Sequence, residues 1–540
     1  MPNSKPEINQ SDIKPWNVMI YMSADNNLSE ECVYALKEIA RLKLSDKIKV
    51  VAQLDTNVRG VSPKRYHFKG EPESVAVTTP TIAQYGSQVI AAKGVRASVR
   101  PNSEIDGKLS EHEDPYFPPR GSKFAETSEP SGGSFLIPQS ANQEINFENF
   151  ADPRVLEHFI STSIENLDQC RNLIVLSGHG SGTIGDFLPD NNPPSSLKIP
   201  DLKDKLGELR HKLLKGTKFD ILGMDSCLMS MAEVCYELSD TVQYLVGAEG
   251  FELQGGWPYH SILEALNANP GMDAEELACL IAERYVEYYS DYVIAGVSVD
   301  QSVCDLSQQE GQRPQKMDKL VAAVKHLATR LTDCLSTPIV RDAIILAHWR
   351  AQSYKFDQYT DLWDFCDQLR KSCKTFRQAG VSLTDKDGKD LLKKIMKDCK
   401  AVKKAIASRN GSGLVVKSCY SGPGVQFSHG ISIYFPWNED RFDDEYQKLG
   451  FSQATGWYNF LKKYIEITCR SPRNDCKLSE IALKGSVNNS ILLAGGIFSQ
   501  SGNKYGDADK YGDADKAIAN GISSMKNLPA TFFNCRNGSK

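Results

Sequence analysis

No apolar run in this chain approaches the roughly 20 residues that a helix needs to cross a bilayer. The first ten residues, Met1 to Gln10, are polar and lack the apolar centre of a secretory signal. The expectation is therefore a cytoplasmic location, or export by a route without a cleaved signal. A large excess of charge of either sign is missing too. A net charge of −5 over 540 residues exerts no general pull on nucleic acid or on an acidic membrane. The fourteen cysteines are scattered singly, with no Cys-x-x-Cys pair, so no metal site is expected from them. Reduced, mostly buried thiols are the natural reading of such a pattern in a long chain. There is no Gly-x-x-x-x-Gly-Lys-Ser/Thr loop to cradle phosphates and no Gly-x-Ser-x-Gly elbow to expose a serine. The stretch Gly180-Ser-Gly182-Thr-Ile-Gly185 imitates a dinucleotide loop. Pro189, Pro193 and Pro194 follow it where a phosphate-binding helix would have to begin.

What is present fits a globular α/β protein. Hydrophobic residues make up 41% and charged residues 24%, enough for a sizeable core, and the length implies roughly three or four domains. From Trp16 onward, strand-like and helix-like stretches alternate. Val18–Met22, Val50–Asp55 and Arg65–Phe68 read as strands, and Val33, Leu36, Ile39 and Ala40 recur at helical spacing behind Ser29. A helix from Asp152 carries Leu156, Ile160 and Leu167, and another spans Ile199 to Leu214. Such alternation predicts a mostly parallel sheet covered on both faces. Residues 70–145 break the rhythm with Pro, Ser, Gly and charge, and read as a flexible insertion. An α/β core is expected over 15–300. A largely helical subdomain with a late strand at Gly430–Pro436 follows over 301–468, with helices at Met317–Leu331 and Tyr359–Leu369. The tail, 469–540, carries a tandem Lys-Tyr-Gly-Asp-Ala-Asp repeat from Lys504. Its Asp spacing faintly echoes a calcium loop, but Ile518 stands where the bidentate Glu belongs.

Two apolar runs stop abruptly on reactive side chains. Arg171–Ser177 leads into Gly178-His179-Gly180, and Phe219–Asp225 leads into Ser226-Cys227. In a parallel sheet both emerge at the carboxyl ends of the strands, where open α/β folds place their sites. A cysteine hydrolase needs a thiolate, an imidazole to manage the proton, and donors for an oxyanion. Cys227 and His179 supply the first two, and the N–H groups of Gly180 and Cys227 are the natural oxyanion pair. A helix beginning at Leu228 would place its dipole behind the thiolate.

The order of several pieces resembles the clostripain family of cysteine peptidases, relatives of caspases. These are Trp16–Asn27, Ser177–Gly182, Asp225–Met229, Gly247–Glu249, Gly256–Tyr259, Tyr359–Phe365, Gly430–Pro436 and Thr455–Trp457. The resemblance implies a caspase-like α/β/α sandwich and a Cys227/His179 dyad with no metal in the chemistry. It also implies a thioester acyl-enzyme and cleavage after Arg or Lys in protein or peptide substrates. Calcium is a possible regulator in that family, and a monomer that binds no nucleic acid is expected. By resemblance, Asp225 is the acidic group of the P1 pocket, with Glu249 and Trp257 at neighbouring positions. From the sequence itself, Glu249 and Glu252 are the acids placed to help Asp225. Two departures stand out. Gly255 occupies a place where some relatives have a second pocket carboxylate. No Arg or Lys occurs between Gly180 and Leu197, the usual stretch for self-cleavage, so Arg120 and Lys123 are the alternative sites. The competing reading is a catalytically silent caspase-like interaction protein.

Overall fold

The computed structural model describes residues 14–57, 63–68, 143–144, 149–163, 167–191, 194–307, 315–354, 358–378, 386–407, 412–470 and 534–537. The expected insertion, apart from two residues of backbone, and the tandem repeat with Arg120 and Lys123 lie outside them. In chain order come β1 (Trp16–Ala24), α1 (Ser29–Ala40), β2 (Ile48–Thr56), β3 (Lys64–Phe68), β4 (Gln143–Glu144), α2 (Pro153–Ser163) and β5 (Arg171–Ser177). Next are β6 (Phe187–Asn191), β7 (Pro194–Leu197), α3 (Ile199–Leu213), β8 (Phe219–Asp225), α4 (Ala232–Leu238), β9 (Val242–Gly247), α5 (Tyr259–Ala268), α6 (Ala274–Ser290) and β10 (Val299–Asp305). Then follow α7 (Gln315–Cys334), α8 (Pro338–Arg350), β11 (Ser353–Tyr354), β12 (Tyr359–Asp361), α9 (Leu362–Gln378) and α10 (Lys386–Ile406). The last are β13 (Val415–Ser421), β14 (Ser432–Tyr434), α11 (Gly450–Thr455), α12 (Trp457–Arg470) and β15 (Asn534–Asn537).

One sheet of ten strands, ordered β15-β13-β10-β9-β8-β5-β1-β2-β3-β4, organises the molecule. The five central strands, β9 to β2 in that order, run parallel, whereas both flanks are antiparallel. β1 shows why a central strand reads as continuous apolar sequence. All nine of its residues are buried, because helices cover both faces. Its side chains alternate between two cores: Val18, Ile20 and Met22 join one cluster, Met19 and Tyr21 the other. On the first face lie α1, α5 and α6, which supply Leu36, Ile262 and Ile281. On the second lie α2, α3 and α4 and the helices after residue 315, with Phe159, Leu206 and Phe365 among their buried residues. The result is the α/β/α sandwich with a mostly parallel centre expected from the sequence. Chain direction reverses its march across the sheet at β1: β2 lies on one side and β5 on the other. That is a topological switch point, where a crevice opens at the carboxyl ends of the strands.

Four local readings change. α2 ends at Ser163, before Leu167. Tyr359–Asp361 forms a strand against β14 rather than the start of a helix, and Asp361 Oδ1 accepts the Asp364 N–H at 2.5 Å to begin α9. The helix after Cys227 starts at Ala232, not Leu228. Leu228 has φ +65°, its N–H donates to Gly250 O at 2.9 Å, and the Ser230 N–H donates to Ala248 O at 2.8 Å. Residues 228–231 are therefore tied to the loop after β9 before the chain can coil. Ten described cysteines are free thiols, but Cys419 on β13 is disulfide-bonded, so the thiols are not uniformly reduced.

Candidate active site

The β5 and β8 ends are locked together by register. Ser177 stands opposite Asp225, and the Ser177 hydroxyl donates to Asp225 Oδ2 at 2.8 Å. Beyond Ser177 the chain turns through Gly178-His179-Gly180. A Cβ on Gly178 would lie 2.9 Å from Ser23 O, and one on Gly180 only 2.4 Å from Cys227 O. The two glycines let the histidine turn nest against β1 and against the cysteine backbone, as their sequence pattern suggests. His179 and Cys227 line one open pocket, which encloses about 470 Å³ including its mouth.

The sulfur of Cys227 sits against the main chain of Glu252. The Glu252 N–H donates to Sγ at 3.2 Å, and Sγ lies 3.7 Å from Glu252 O. A backbone dipole thus takes the place that the sequence reading assigned to a helix N-terminus. The histidine ring is held from the β1 side, with His179 Nε2 2.6 Å from Asn27 Oδ1.

Asp225 and Glu252 both border the pocket, together with Glu31 and Cys32 from α1 and with Tyr259. Asp225 receives the Tyr259 hydroxyl at 2.7 Å and the Trp257 N–H at 3.1 Å, besides Ser177. Glu252 receives the Trp257 indole N–H at 3.3 Å and the Gln301 amide at 2.9 Å. Burial pushes Asp225 up from its ordinary carboxylate range against the pull of these donors. Burial first, and then the Asp225 charge, push Glu252 well above its own. Burial and mutual repulsion both favour a proton held between the two carboxyls.

A profile of the clostripain family matches residues 20–464. The chain belongs to the clostripain family. It is accordingly a cysteine-type peptidase, acting on protein or peptide substrates. Solved structures that it resembles include a secreted C11 cysteine protease from Bacteroides thetaiotaomicron bound to an irreversible peptide inhibitor. That match is 16% identical with a TM-score of 0.46, covering 82% of this chain and 99% of that one. An inactive zymogen C11 protease from Parabacteroides distasonis is 17% identical with a TM-score of 0.47, covering 82% and 98%. No curated protein matches the chain closely enough to count as a relative.

Within this clostripain-family site, Glu249 and Trp257 stand back from the pocket. Glu249 is fully buried and its Oε2 accepts the Gly430 N–H at 2.6 Å, beside Asp300 and Asp361. Trp257 lies beneath, its ring filling the space over Gly223, where a Cβ would be 2.6 Å away. It positions both pocket carboxyls without facing the cavity. The stretch between the histidine and cysteine motifs forms the hairpin β6–β7, and Lys198 follows at the exposed start of α3. Sequence reasoning gave no role to Asn27, Gln254, Glu31 or Tyr259. Asn27 was within reach of the rule that found His179, since it follows a strand at the same sheet edge.

Among the described residues, one group of acids could hold a cation. Asp25, Asp55 and Asp190 each bring a carboxylate oxygen to within 4.8 Å of the others, at the ends of β1 and β2 and on β6. Burial, then Asp190 and Asp25, push Asp55 up to about 7. An all-oxygen donor set suits a hard cation such as calcium. Among the described residues no helix is long and apolar enough to cross a membrane.

Proposed function

We propose that this protein is an endopeptidase in which Cys227 attacks the scissile carbonyl and His179 exchanges the proton, with a preference for Arg or Lys at P1. The observation that carries this reading is the convergence of Cys227, His179 and two carboxyls on one pocket. The Cys227 thiolate adds to the carbonyl carbon. His179 protonates the departing amine, leaving a thioester that water then hydrolyses with His179 accepting its proton. The N–H groups of Gly180 and Cys227 serve the oxyanion, an assignment supported by the close approach of Gly180 to the Cys227 backbone. The cationic P1 side chain meets Asp225 and Glu252. Glu252 makes up for the carboxylate missing at Gly255, and a desolvated pair of acids is a strong partner for guanidinium or ammonium. A monomer is sufficient for this chemistry, and calcium acting as a regulator would be held by Asp25, Asp55 and Asp190.

A fluorogenic peptide panel on wild type, Cys227→Ala and Asp225→Asn tests the reading. Cys227→Ala is expected to be inactive. Asp225→Asn should lose about 100-fold in kcat/KM on Arg and Lys substrates, the scale of an unpaired buried charge. Equal activity of wild type and Cys227→Ala would overturn the mechanism, and selective cleavage after uncharged residues would overturn the pocket assignment.

A further inference from the structure

We infer that Asn27 is the positioning residue for His179, and that the wall of the P1 pocket bears on it through Gln254. The inference rests on the peptidase reading above. A carbonyl oxygen only accepts, so the 2.6 Å contact of Asn27 Oδ1 with His179 Nε2 puts the ring hydrogen on Nε2. Nδ1 is then the ring atom that takes and returns the proton. The amide fixes the tautomer and swing of the imidazole without placing a negative charge beside it.

Asn27 is exposed, yet its backbone is braced. The neighbouring Asn26 is buried and builds the turn after β1. Its amide donates to Ser23 O at 3.1 Å and to Pro189 O at 3.3 Å, and its Oδ1 accepts the Leu28 N–H at 2.9 Å. The Asn27 carbonyl itself accepts the Gln254 side-chain amide at 3.2 Å. Gln254 belongs to the segment Glu252–Gly256, which forms one wall of the pocket. A P1 side chain that enters the pocket therefore presses on the segment holding the residue that aims the histidine. Cys227 is touched by the same segment through the Glu252 N–H. One short loop thus adjusts both reacting groups to an occupied pocket. The other titratable groups facing that pocket are Glu31 and Cys32 on α1, Asp225 and Glu252, and Tyr259 on α5.

The test uses the purified full-length chain with an Arg-containing fluorogenic peptide. Asn27→Ala is expected to lower kcat by about tenfold to a hundredfold, the penalty of a misaimed group, with KM and the thermal midpoint unchanged. Asn27→Asp keeps the acceptor and adds charge, so it should restore most of kcat. It should also move the limb of the pH profile that reports the imidazolium to higher pH. Gln254→Ala should lower kcat less, and the double variant should be no worse than Asn27→Ala alone. Wild-type kcat and pH profile in Asn27→Ala, or a change confined to KM or stability, would overturn the role of Asn27. Additive losses in the double variant would overturn the part played by Gln254. Full activity in Cys227→Ala would instead sink the peptidase reading, and this inference with it.

Discussion

Gly180 is the residue on which the site geometry is most sensitive. A methyl group there would sit 2.4 Å from Cys227 O and 3.1 Å from the Ser226 side chain, and backbone cannot retreat as a flexible side chain can. Gly180→Ala is expected to cost about 1–3 kcal/mol of stability by overpacking and to remove most activity. Thermal melts with a matched Gly207→Ala control measure it, since Gly207 has open space around its Cβ direction. The carboxyl pair makes a second prediction at this scale. Glu252 and Asp225 are both raised, so they hold a shared proton until the pH climbs through their folded range. On the P1 assignment proposed above, a cationic side chain must displace that proton. KM for Arg and Lys substrates should therefore fall as pH rises, while KM for a substrate with an uncharged P1 residue stays flat. A KM series over pH checks this, and parallel curves would count against it. The proposed Cys227/His179 pair was legible in sequence because each member follows an apolar run. Glu252 was harder to read, because nothing local marks a glutamate whose side chain meets Asp225 while its N–H meets a sulfur.

At the scale of elements, a buried acid cluster joins the loop after β9 to β10, β12 and β14. Asp300 accepts the N–H groups of Glu249 and Gly250 at 2.8 and 3.0 Å, and Asp361 Oδ2 accepts the His429 N–H at 2.5 Å. Burial raises Asp300 to about 7 and Glu249 well above its ordinary value. Acids raised in the folded state contribute stability that is complete below their unfolded pKa, near 4. That contribution is lost as pH rises through the folded value. Wild type should lose stability between about pH 4 and pH 7 from Asp300, and from Glu249 as the pH rises from its unfolded value through its raised folded one. Glu249→Gln mimics the protonated acid, so it should match wild type at pH 5 and exceed it at pH 9. Urea melts at the two pH values measure the difference, and an equal gap at both would refute the account. Element types were mostly legible from period and from runs of apolar residues. The misreadings at Leu228 and Tyr359 share a cause. Both stretches are held out of a helix by partners outside their own turn, Gly250 for one and Tyr434 for the other. Local propensity carries no trace of such partners.

For the whole molecule, the sheet binds early and late sequence together. β10 ends at Asp305, and its outer neighbour β13 begins at Val415. The core beneath α3 and α4 is completed by residues such as Phe365, Tyr434, Phe451 and Trp457. A chain cut after residue 300 should therefore fail to fold, exposing that face, whereas the full chain should unfold in one transition. Circular dichroism and calorimetry distinguish the outcomes, and a folded 1–300 fragment would show the first core to be self-sufficient. The sequence by itself determined the alternation of strands and helices, the parallel centre of the sheet and the two strand ends bearing His179 and Cys227. It could do so because those features are written in periodicities and runs a few residues long. Only the tertiary structure decided which acids reach the pocket and what lies against the sulfur and the imidazole. These depend on sheet order, which brings β1, β5 and β8 side by side, and on loops that meet across more than two hundred residues of chain.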